Sequence, residues 1–329
     1  MPARTAPDSL VLGTWGLAGR GGLPLDRSYG EVTEDAALET MDLAWAAGLR
    51  HLDTAPGYGA GEGLRRVGRW QADRGRTWHV AAKPGRPLTA RGPASDLSPP
   101  GLLREIAHTA ALTGPPAHIL VKDPPPRSYT DGGLAGALHA LDGRFPGARV
   151  GVAGHLPEAL AEFAERPEGA APPRGRIAQI ELNAVNHRVA RPAADRLAAR
   201  GWEVWAMQPL AYGFLARADP PPASGRDWRS TLPPEARRAL RAAARSFARG
   251  VGADRAPTGW TRGPVPQASW AIAFCLGIPS VTRTVIGPKN AAQLRDALLA
   301  LELLSHPDAV ERTHAWATGT PREAADTAR

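Results

Sequence analysis

Short apolar runs alternate with helical patterns along the whole chain, and this alternation limits the possible folds more than any other feature of the sequence. The runs are rich in valine, isoleucine and leucine and do not strictly alternate polar with apolar residues, which is typical of strands buried on both faces of a parallel sheet. Eight strands are predicted: Leu10–Thr14, Leu49–Asp53, Trp78–Lys83, His118–Val121, Arg149–Val152, Ile177–Leu182, Glu203–Met207 and Thr284–Ile286.

Helical patterns separate these runs. The first, Thr33–Ala47, begins with a threonine cap and two acidic residues and is followed by Gly48, which is typical of helix ends. Further helices are predicted at 61–73, 100–112, 133–143, 157–166, 189–200, 235–248, 265–276 and 291–303.

About eight strand–helix units in 329 residues indicate a single α/β domain, a (β/α)8 TIM barrel over 1–329, with part of the C-terminal tail 305–329 frayed. An open doubly wound sheet is the alternative, but no Gly-x-Gly-x-x-Gly motif lies between a strand and a helix. Long loops at 84–100, 123–132 and 211–234 follow predicted strands. In a barrel they surround the C-terminal mouth, where functional sites form.

The composition argues against several classes of protein. A single cysteine, Cys275, excludes an internal disulfide framework and a cysteine-built zinc site, and its apolar neighbours predict a buried thiol. The nine histidines show no metal-ligand spacing.

Because no stretch reaches the ~18 apolar residues of a membrane helix and no signal-peptide pattern is present, a cytoplasmic location is expected. The net charge of +8 comes from scattered arginines, which favours anionic small molecules over nucleic acid as partners. The oligomeric state stays open.

Three residues at the predicted barrel mouth could carry chemistry together. Asp53 ends one strand, Tyr58 follows five residues later in a turn, and Lys83 ends the next strand. The ends of adjacent strands converge in a barrel. A lysine lowers the pKa of a nearby tyrosine, and an aspartate keeps the lysine charged, so the set predicts a general acid.

The segments LGTWGLAG, GLRHLDTAPGYG, HVAAKPG, RVGVAGH, IAQIELN, VWAMQPLAYGFLA and PQASWAIAFCLGIPSVTRTVIGPKNAAQLRDALLAL follow one another in this order. Their order and spacing resemble the aldo-keto reductase superfamily over nearly the whole chain. The resemblance implies a (β/α)8 barrel that binds NADPH, rather than NADH, in an extended pose and passes its hydride to an aldehyde or ketone. It also implies that Tyr58 is the proton donor, that Lys83 tunes it and that Asp53 pairs with Lys83.

The same resemblance implies the positions of the cofactor and the substrate. Residues expected near the cofactor are Thr14, Trp15, Gln179, Asn183, Met207, Pro209, Leu210, Gly287, Lys289, Asn290, Gln293 and Asp296. Lys289 and Asn290 would face the 2′-phosphate at a helix N-terminus, which is a natural anion site. Asp123 is also expected near the substrate. Trp15 and Trp228 fall in regions that would reach the mouth, where they would border an apolar or aromatic substrate; the alternative is that they pack in the core or anchor a loop.

The chain departs from the family pattern in two places. Lys122 stands where the family has a histidine that positions the carbonyl oxygen. Its ammonium group would stabilise an alkoxide, whereas a Lys122 made neutral by burial and by Lys83 would act as a base or a nucleophile. On the cofactor side, Ala153-Gly154 replaces Ser-Asn, and Ala297 replaces an asparagine. Arg283 and Arg295 are candidates for compensating phosphate contacts.

Three functions are therefore considered. The first is an NADPH-dependent oxidoreductase that reduces a carbonyl, or a related C=N or C=C group, in a specialised substrate such as a modified sugar or an intermediate of natural-product biosynthesis. The second is a redox-neutral enzyme that uses Tyr58, Lys83 and Lys122 for elimination, isomerisation or cyclisation. The third is a non-catalytic binding or regulatory subunit.

Overall fold

The computed structural model describes residues 6–19, 30–89, 92–218 and 228–319. In these ranges, eight parallel strands form a closed barrel in which each strand pairs with the strands before and after it in the chain. The barrel strands are β1 (Leu10–Gly13), β2 (His51–Thr54), β3 (His79–Ala82), β4 (His118–Lys122), β5 (Arg149–Gly154), β6 (Arg176–Glu181), β7 (Trp202–Met207) and β8 (Val281–Ile286). Leu10 of β1 pairs with Thr284 of β8, which closes the barrel. The (β/α)8 prediction is confirmed, and the doubly wound alternative is wrong because an open sheet lacks this pairing.

Helices surround the barrel. They are α1 (Glu34–Ala46), α2 (Glu62–Arg74), α3 (Pro99–Thr113), α4 (Gly133–Arg144), α5 (Pro157–Ala164), α6 (His187–Ala199), α7 (Pro234–Gly250), α8 (Gln267–Gly277), α9 (Ala291–Leu303) and α10 (Pro307–Gly319). The predicted cap of α1 is present, because the Thr33 hydroxyl accepts a hydrogen bond from the amide of Ala36. Cys275 is fully buried in α8, as its apolar neighbours predict. None of the helices in the described ranges is long and apolar enough to span a membrane.

The helix α10 lies within the tail 305–329, part of which was expected to fray. Its spacing of Ala309, Thr313 and Trp316 gives one side that packs on α7 and α8. Trp316 meets Phe247 of α7 edge to face, with ring centroids 5.6 Å apart. This packing gives residues 307–319 a defined structure that their polar composition does not indicate. Residues 320–329 lie outside the described ranges.

The barrel interior consists of layers, because every second residue of a strand points inward. The central layer is apolar and contains Val11, Ala81, Leu120, Ile177, Trp205 and Val285. Below it, at the N-terminal ends of the strands, the layer is polar, and His51 Nδ1 lies 3.2 Å from His118 Nε2. Above it, the interior positions carry the predicted catalytic residues.

Arg283 belongs to the lower layer, so its predicted role in phosphate binding is wrong. Its guanidinium group binds Asp8 at 2.8 Å and also contacts Glu203, at the end of the barrel opposite the mouth. The reason is its position along the strand, since Arg283 lies three residues before the C-terminal end of β8, where the mouth is.

Candidate active site

Asp53 and Lys83 form a buried ion pair at the C-terminal ends of β2 and β3. Lys83 Nζ lies 2.6 Å from Asp53 Oδ1, and the two side chains are only 5% and 3% exposed. Asp53 is the inward-facing residue near the end of β2, and Lys83 directly follows β3. The structure therefore brings together two residues that are thirty positions apart, as strand convergence predicts.

Gln179 of β6 completes this group from across the barrel. Its Nε2 donates to Asp53 Oδ2 at 2.8 Å, and its Oε1 accepts from Lys83 Nζ at 3.3 Å. Each of the three side chains is therefore hydrogen-bonded to the other two. Gln179 is completely buried, and its amide orients the ion pair.

Tyr58 lies beside this group in a tight turn that follows β2. The turn requires Gly59, whose φ is +56°, because a Cβ at this position would lie 2.6 Å from the carbonyl oxygen of Ala18. The Tyr58 ring centroid is 4.9 Å from Lys83 Nζ and 4.7 Å from Lys122 Nζ. Trp15 stacks on the same ring at 6.3 Å between centroids. The mouth thus holds one phenol between two ammonium groups and an indole.

The electrostatics of the site keep the phenol protonated. Burial raises the pKa of Tyr58 to about 12, although the charge of Lys83 and a hydrogen bond with Lys83 act in the opposite direction. Burial alone would lower the pKa of Lys83, but Asp53 and Tyr58 outweigh it and raise that pKa above its usual value. A neutral phenol beside a charged lysine is the arrangement that a proton donor needs.

Lys122 differs electrostatically from Lys83. Burial, and then the charge of Lys83, lower the pKa of Lys122 to about 8, while Asp123 acts in the opposite direction. The amide of Lys122 donates to the carbonyl oxygen of Pro84 at 2.7 Å, which ties the end of β4 to the loop after β3. Lys122 lies beside Tyr58, and its lowered pKa means that its side chain changes protonation slightly above neutral pH.

Two site residues, His155 and Glu181, have no role in the sequence prediction. His155 Nδ1 lies 2.9 Å from Glu181 Oε2, and His155 Nε2 lies 3.8 Å from Asp123 Oδ1. Both follow inward-facing residues by two positions: His155 follows Ala153, and Glu181 follows Gln179. Inward-facing side chains recur at every second residue along a strand. Continuing this spacing by two residues from Ala153 and from Gln179 would have identified both residues in the sequence.

Several residues expected near a cofactor lie at the mouth but are engaged with the protein. Thr14 Oγ1 donates to the carbonyl oxygen of Asp53 at 3.1 Å and to Thr54 Oγ1 at 2.9 Å, so it joins β1 to β2. Asn183 is buried, and its Nδ2 donates to the carbonyl oxygen of Gln208 at 3.2 Å. Met207 is the last residue of β7, and Pro209 and Leu210 follow it in a loop in which Gln208 and Ala211 have positive φ.

The predicted phosphate segment lies at the N-terminus of α9. Asn290 caps the helix by accepting from the amide of Gln293 at 3.0 Å, and Gln293 Oε1 accepts from the amide of Lys289 at 3.0 Å. Gly287 is exposed, and a Cβ at this position would meet nothing within 4 Å. Asp296 and Arg295 lie on α9 itself, and burial raises the pKa of Asp296.

Trp228 begins a short 3-10 helix, Trp228–Thr231, and the position of its side chain lies outside what the structure describes. The long loop 211–234 is described except for 219–227, and 84–100 except for 90–91. Among the described residues, no group of three or more His, Cys, Asp or Glu side chains is arranged to hold a metal ion.

Comparisons with known proteins agree with this fold. The model of the "Aldo/keto reductase family" matches residues 9–99, which contain Asp53, Tyr58 and Lys83. No curated protein matches the chain. Aldo-keto reductase AKR11C1 from Bacillus halodurans, in its holo form, is 16% identical with a TM-score of 0.69 and covers 98% of this chain and 95% of its own.

Two further solved structures are similar. The glycerol dehydrogenase AKR11B4 from Gluconobacter oxydans is 20% identical with a TM-score of 0.69, over 96% of this chain and 94% of its own. The thermostable aldo-keto reductase Tm1743, in complex with the inhibitor epalrestat, is 20% identical with a TM-score of 0.58, over 94% of both chains. At these identities, the likeness is one of fold. The chain is therefore similar to the aldo/keto reductase family over residues 9–99 and shares the barrel fold of these structures over nearly its whole length.

Proposed function

We propose that this chain reduces a carbonyl, or a related C=N or C=C group, of a small molecule with NADPH as the hydride donor and Tyr58 as the proton donor. The observation that carries the proposal is the contact between Lys83 Nζ and Asp53 Oδ1 at 2.6 Å, with the same Nζ atom 4.9 Å from the Tyr58 ring centroid. A buried, charged lysine lowers the cost of removing the phenolic proton in the transition state.

The donor groups near α9 fit the phosphate of NADPH. Lys289 precedes the capped N-terminus of a thirteen-residue helix, where the helix dipole favours an anion. The open space at Gly287 leaves room for a ligand beside this end. The end of β5 provides fewer polar side chains to bind the carboxamide group of the nicotinamide, because residues 153 and 154 are alanine and glycine. When bound, the nicotinamide supplies the hydride.

The residues of this chain supply the remaining steps. Lys83, held charged by Asp53, favours release of the Tyr58 proton to the substrate atom that gains negative charge. Below its pKa of about 8, Lys122 is cationic, and its Nζ atom, 4.7 Å from the Tyr58 ring centroid, donates to the same developing charge. Gln179 keeps the ion pair in position, and Trp15 limits the volume beside Tyr58.

The proposal extends to the substrate and to the cellular location. A cationic Lys122 and the polar rim formed by Asp123 suit a specialised substrate, such as a modified sugar or an intermediate of natural-product biosynthesis. Trp15 is proposed to border its apolar part. The buried thiol of Cys275 is compatible with a reducing, cytoplasmic compartment.

The test is NADPH oxidation with a panel of aldehydes and ketones. We expect Tyr58→Phe to lower kcat by at least about a hundredfold, because it removes the general acid, without weakening the binding of NADPH. Tyr129→Phe is the matched control, since it also removes a hydroxyl from a buried tyrosine. Unchanged turnover in Tyr58→Phe would show that another group gives the proton.

Cofactor choice is tested separately. We expect Lys289→Ala to weaken NADPH binding by about tenfold or more and to leave NADH binding nearly unchanged, because a charge-assisted contact to the 2′-phosphate exists only in NADPH. Tryptophan fluorescence reports binding of both cofactors. Equal effects on both would contradict a phosphate contact at Lys289.

A redox-neutral enzyme is the second candidate, and Lys122 is the observation that favours it. Only three of the 40 lysine and arginine residues are lysines, namely Lys83, Lys122 and Lys289. A lysine can lose its proton and an arginine cannot, so a neutral Lys122 beside Tyr58 would serve as a base or as a nucleophile toward a carbonyl. Turnover without any nicotinamide, abolished in Lys122→Arg, would support this function. Turnover that requires NADPH would exclude it.

A further inference from the structure

We propose that Asp123, His155 and Glu181 form a second binding subsite at the barrel mouth, which holds a hydroxyl group of an uncharged, hydroxylated substrate. The subsite deepens the proposed reductase function, because it names the class of substrate that the same mouth accepts. It is built from residues that the proton-donating group does not use.

The position of these residues follows from strand register. Ala153 of β5 pairs with Gln179 of β6, whose side chain points inward to Asp53 and Lys83. Two residues further on, His155 directly follows the end of β5 and Glu181 is the last residue of β6, and their side chains are 2.9 Å apart. They therefore form the layer directly above Gln179, at the entrance to the site.

Glu181 fixes the orientation of the His155 ring. Its Oε2 atom lies 2.9 Å from His155 Nδ1 and accepts a hydrogen bond from the Tyr212 hydroxyl at 3.4 Å. His155 Nδ1 therefore donates to Glu181, and Nε2 is directed toward Asp123. Burial would lower the pKa of His155, but Glu181 and Asp123 outweigh burial and raise it, while Lys122 acts in the opposite direction. A protonated His155 donates from both ring nitrogens.

Asp123 and His155 leave a gap that fits one oxygen atom. Asp123 Oδ1 is 3.8 Å from His155 Nε2, which is too long for a hydrogen bond. An oxygen about 2.8 Å from both atoms would bridge them. A hydroxyl group suits this position because it accepts from His155 and donates to Asp123 at the same time. An ether or a carbonyl oxygen only accepts, so it would leave the carboxylate without a donor.

The backbone holds Asp123 in place for this contact. Its φ is +43°, a conformation that aspartate and asparagine tolerate better than most residues, and its amide donates to the carbonyl oxygen of Ala153 at 2.7 Å. The carboxylate is thus anchored to the strand that precedes His155.

Exposure and charge select the ligand. The side chains of His155, Asp123 and Glu181 are 44%, 26% and 21% exposed, so solutes can reach them, unlike the closed pair of Asp53 and Lys83. An anionic ligand would be repelled by the two carboxylates, and a cationic ligand by His155 and Lys122. A neutral hydroxylated compound avoids both penalties.

The test compares glyceraldehyde with propanal, which lacks both hydroxyl groups. In the native enzyme with NADPH, we expect kcat/KM to favour glyceraldehyde by about tenfold or more, mainly through KM, since one charge-assisted hydrogen bond is worth this factor. His155→Leu and Asp123→Asn should each reduce the preference toward equality. Asparagine keeps the shape and the positive φ of residue 123. His139→Leu, on the exposed side of α4, is the matched control and should keep the preference.

A binding measurement without cofactor separates this subsite from the reductase function. We expect erythritol to give stronger saturation-transfer NMR signals than butane-1,4-diol with the native protein, and this difference to disappear in His155→Leu. If neither aldehyde is reduced but erythritol binds in this way, the reductase function fails and the subsite stands. Equal binding of both alcohols, or a preference for glyceraldehyde that survives both substitutions, would overturn the subsite.

Discussion

Replacing Asp53 by asparagine removes one negative charge and almost no volume, so its effect isolates the electrostatics of the site. Asp53 accepts from Lys83 through one oxygen and from Gln179 through the other, while Lys83 also donates to Gln179. With asparagine, one of the two oxygens becomes a donor. If the new NH2 group faces Lys83, two donors meet. If it faces Gln179, the glutamine amide must turn, and its NH2 group then faces Lys83.

One donor–donor contact therefore remains in every arrangement of Asp53→Asn, and the buried Lys83 loses its counter-charge. Breaking a buried ion pair by removing one partner costs about 3–5 kcal/mol. We expect the free energy of unfolding in urea at pH 7 to fall by about this amount. Asp195→Asn is the matched control, because Asp195 is 53% exposed and 3.9 Å from Arg191, and an exposed pair contributes less than about 1 kcal/mol.

The loss in Asp53→Asn should also depend on pH. In the native chain, the raised pKa of Lys83 stabilises the fold at pH values below the pKa of an unfolded lysine, about 10.4, and this contribution is lost above it. Without Asp53, burial dominates and the pKa of Lys83 in the folded state drops below the unfolded value. The unfolded state then binds more protons, so the variant gains stability as pH rises toward 10.

The measurement is therefore a set of urea unfolding curves for the native chain, Asp53→Asn and Asp195→Asn between pH 7 and pH 10. A double variant with Lys83→Met should be more stable than Asp53→Asn alone, because it removes the uncompensated charge. Two results would refute the idea that the ion pair is buried and coupled. One is a loss of unfolding free energy in Asp53→Asn no larger than that in Asp195→Asn. The other is a difference in unfolding free energy between Asp53→Asn and the native chain that does not narrow as pH rises.

Three other predictions follow from particular contacts. As pH rises through about 8, reduction should slow because Lys122 loses its charge, and a pH profile of Lys122→Met should lack this step. Burial lowers the pKa of His51 to about 4 and that of His118 to about 3, so stability should fall as pH drops below about 6.5, by on the order of 2 kcal/mol per histidine at pH 5. Urea unfolding should show a smaller acid loss in His118→Gln. Trp316→Ala should lower stability by about 3 kcal/mol in the same assay, since it removes the ring packed on Phe247.

The sequence predicted the barrel well because each strand and helix carries its own local pattern. All eight strands lie within a few residues of their predicted bounds, and the caps of α1 and α9 are those that Thr33 and Asn290 indicate. α10 has no counterpart among the predicted helices, because its polar residues hide a narrow packing stripe. Its order depends on a partner, Phe247, that is far away in the chain.

At the site, local patterns predict which residue types stand at the strand ends. The positions of Asp53, Tyr58, Lys83 and Lys122 follow from motif spacing alone. The tertiary structure decided which of these groups are paired and which are reachable. Gln179 joins the ion pair rather than facing the open mouth, and Arg283 binds at the opposite end of the barrel.

The pairing of His155 with Glu181 and Asp123 was likewise decided by the tertiary structure. These three residues come from the ends of three different strands, and their distances depend on barrel closure and register. Local sequence patterns fix the backbone, because they act between neighbours in the chain. Distances, burial and pKa shifts between side chains depend on contacts across the barrel, which exist only once the fold has formed.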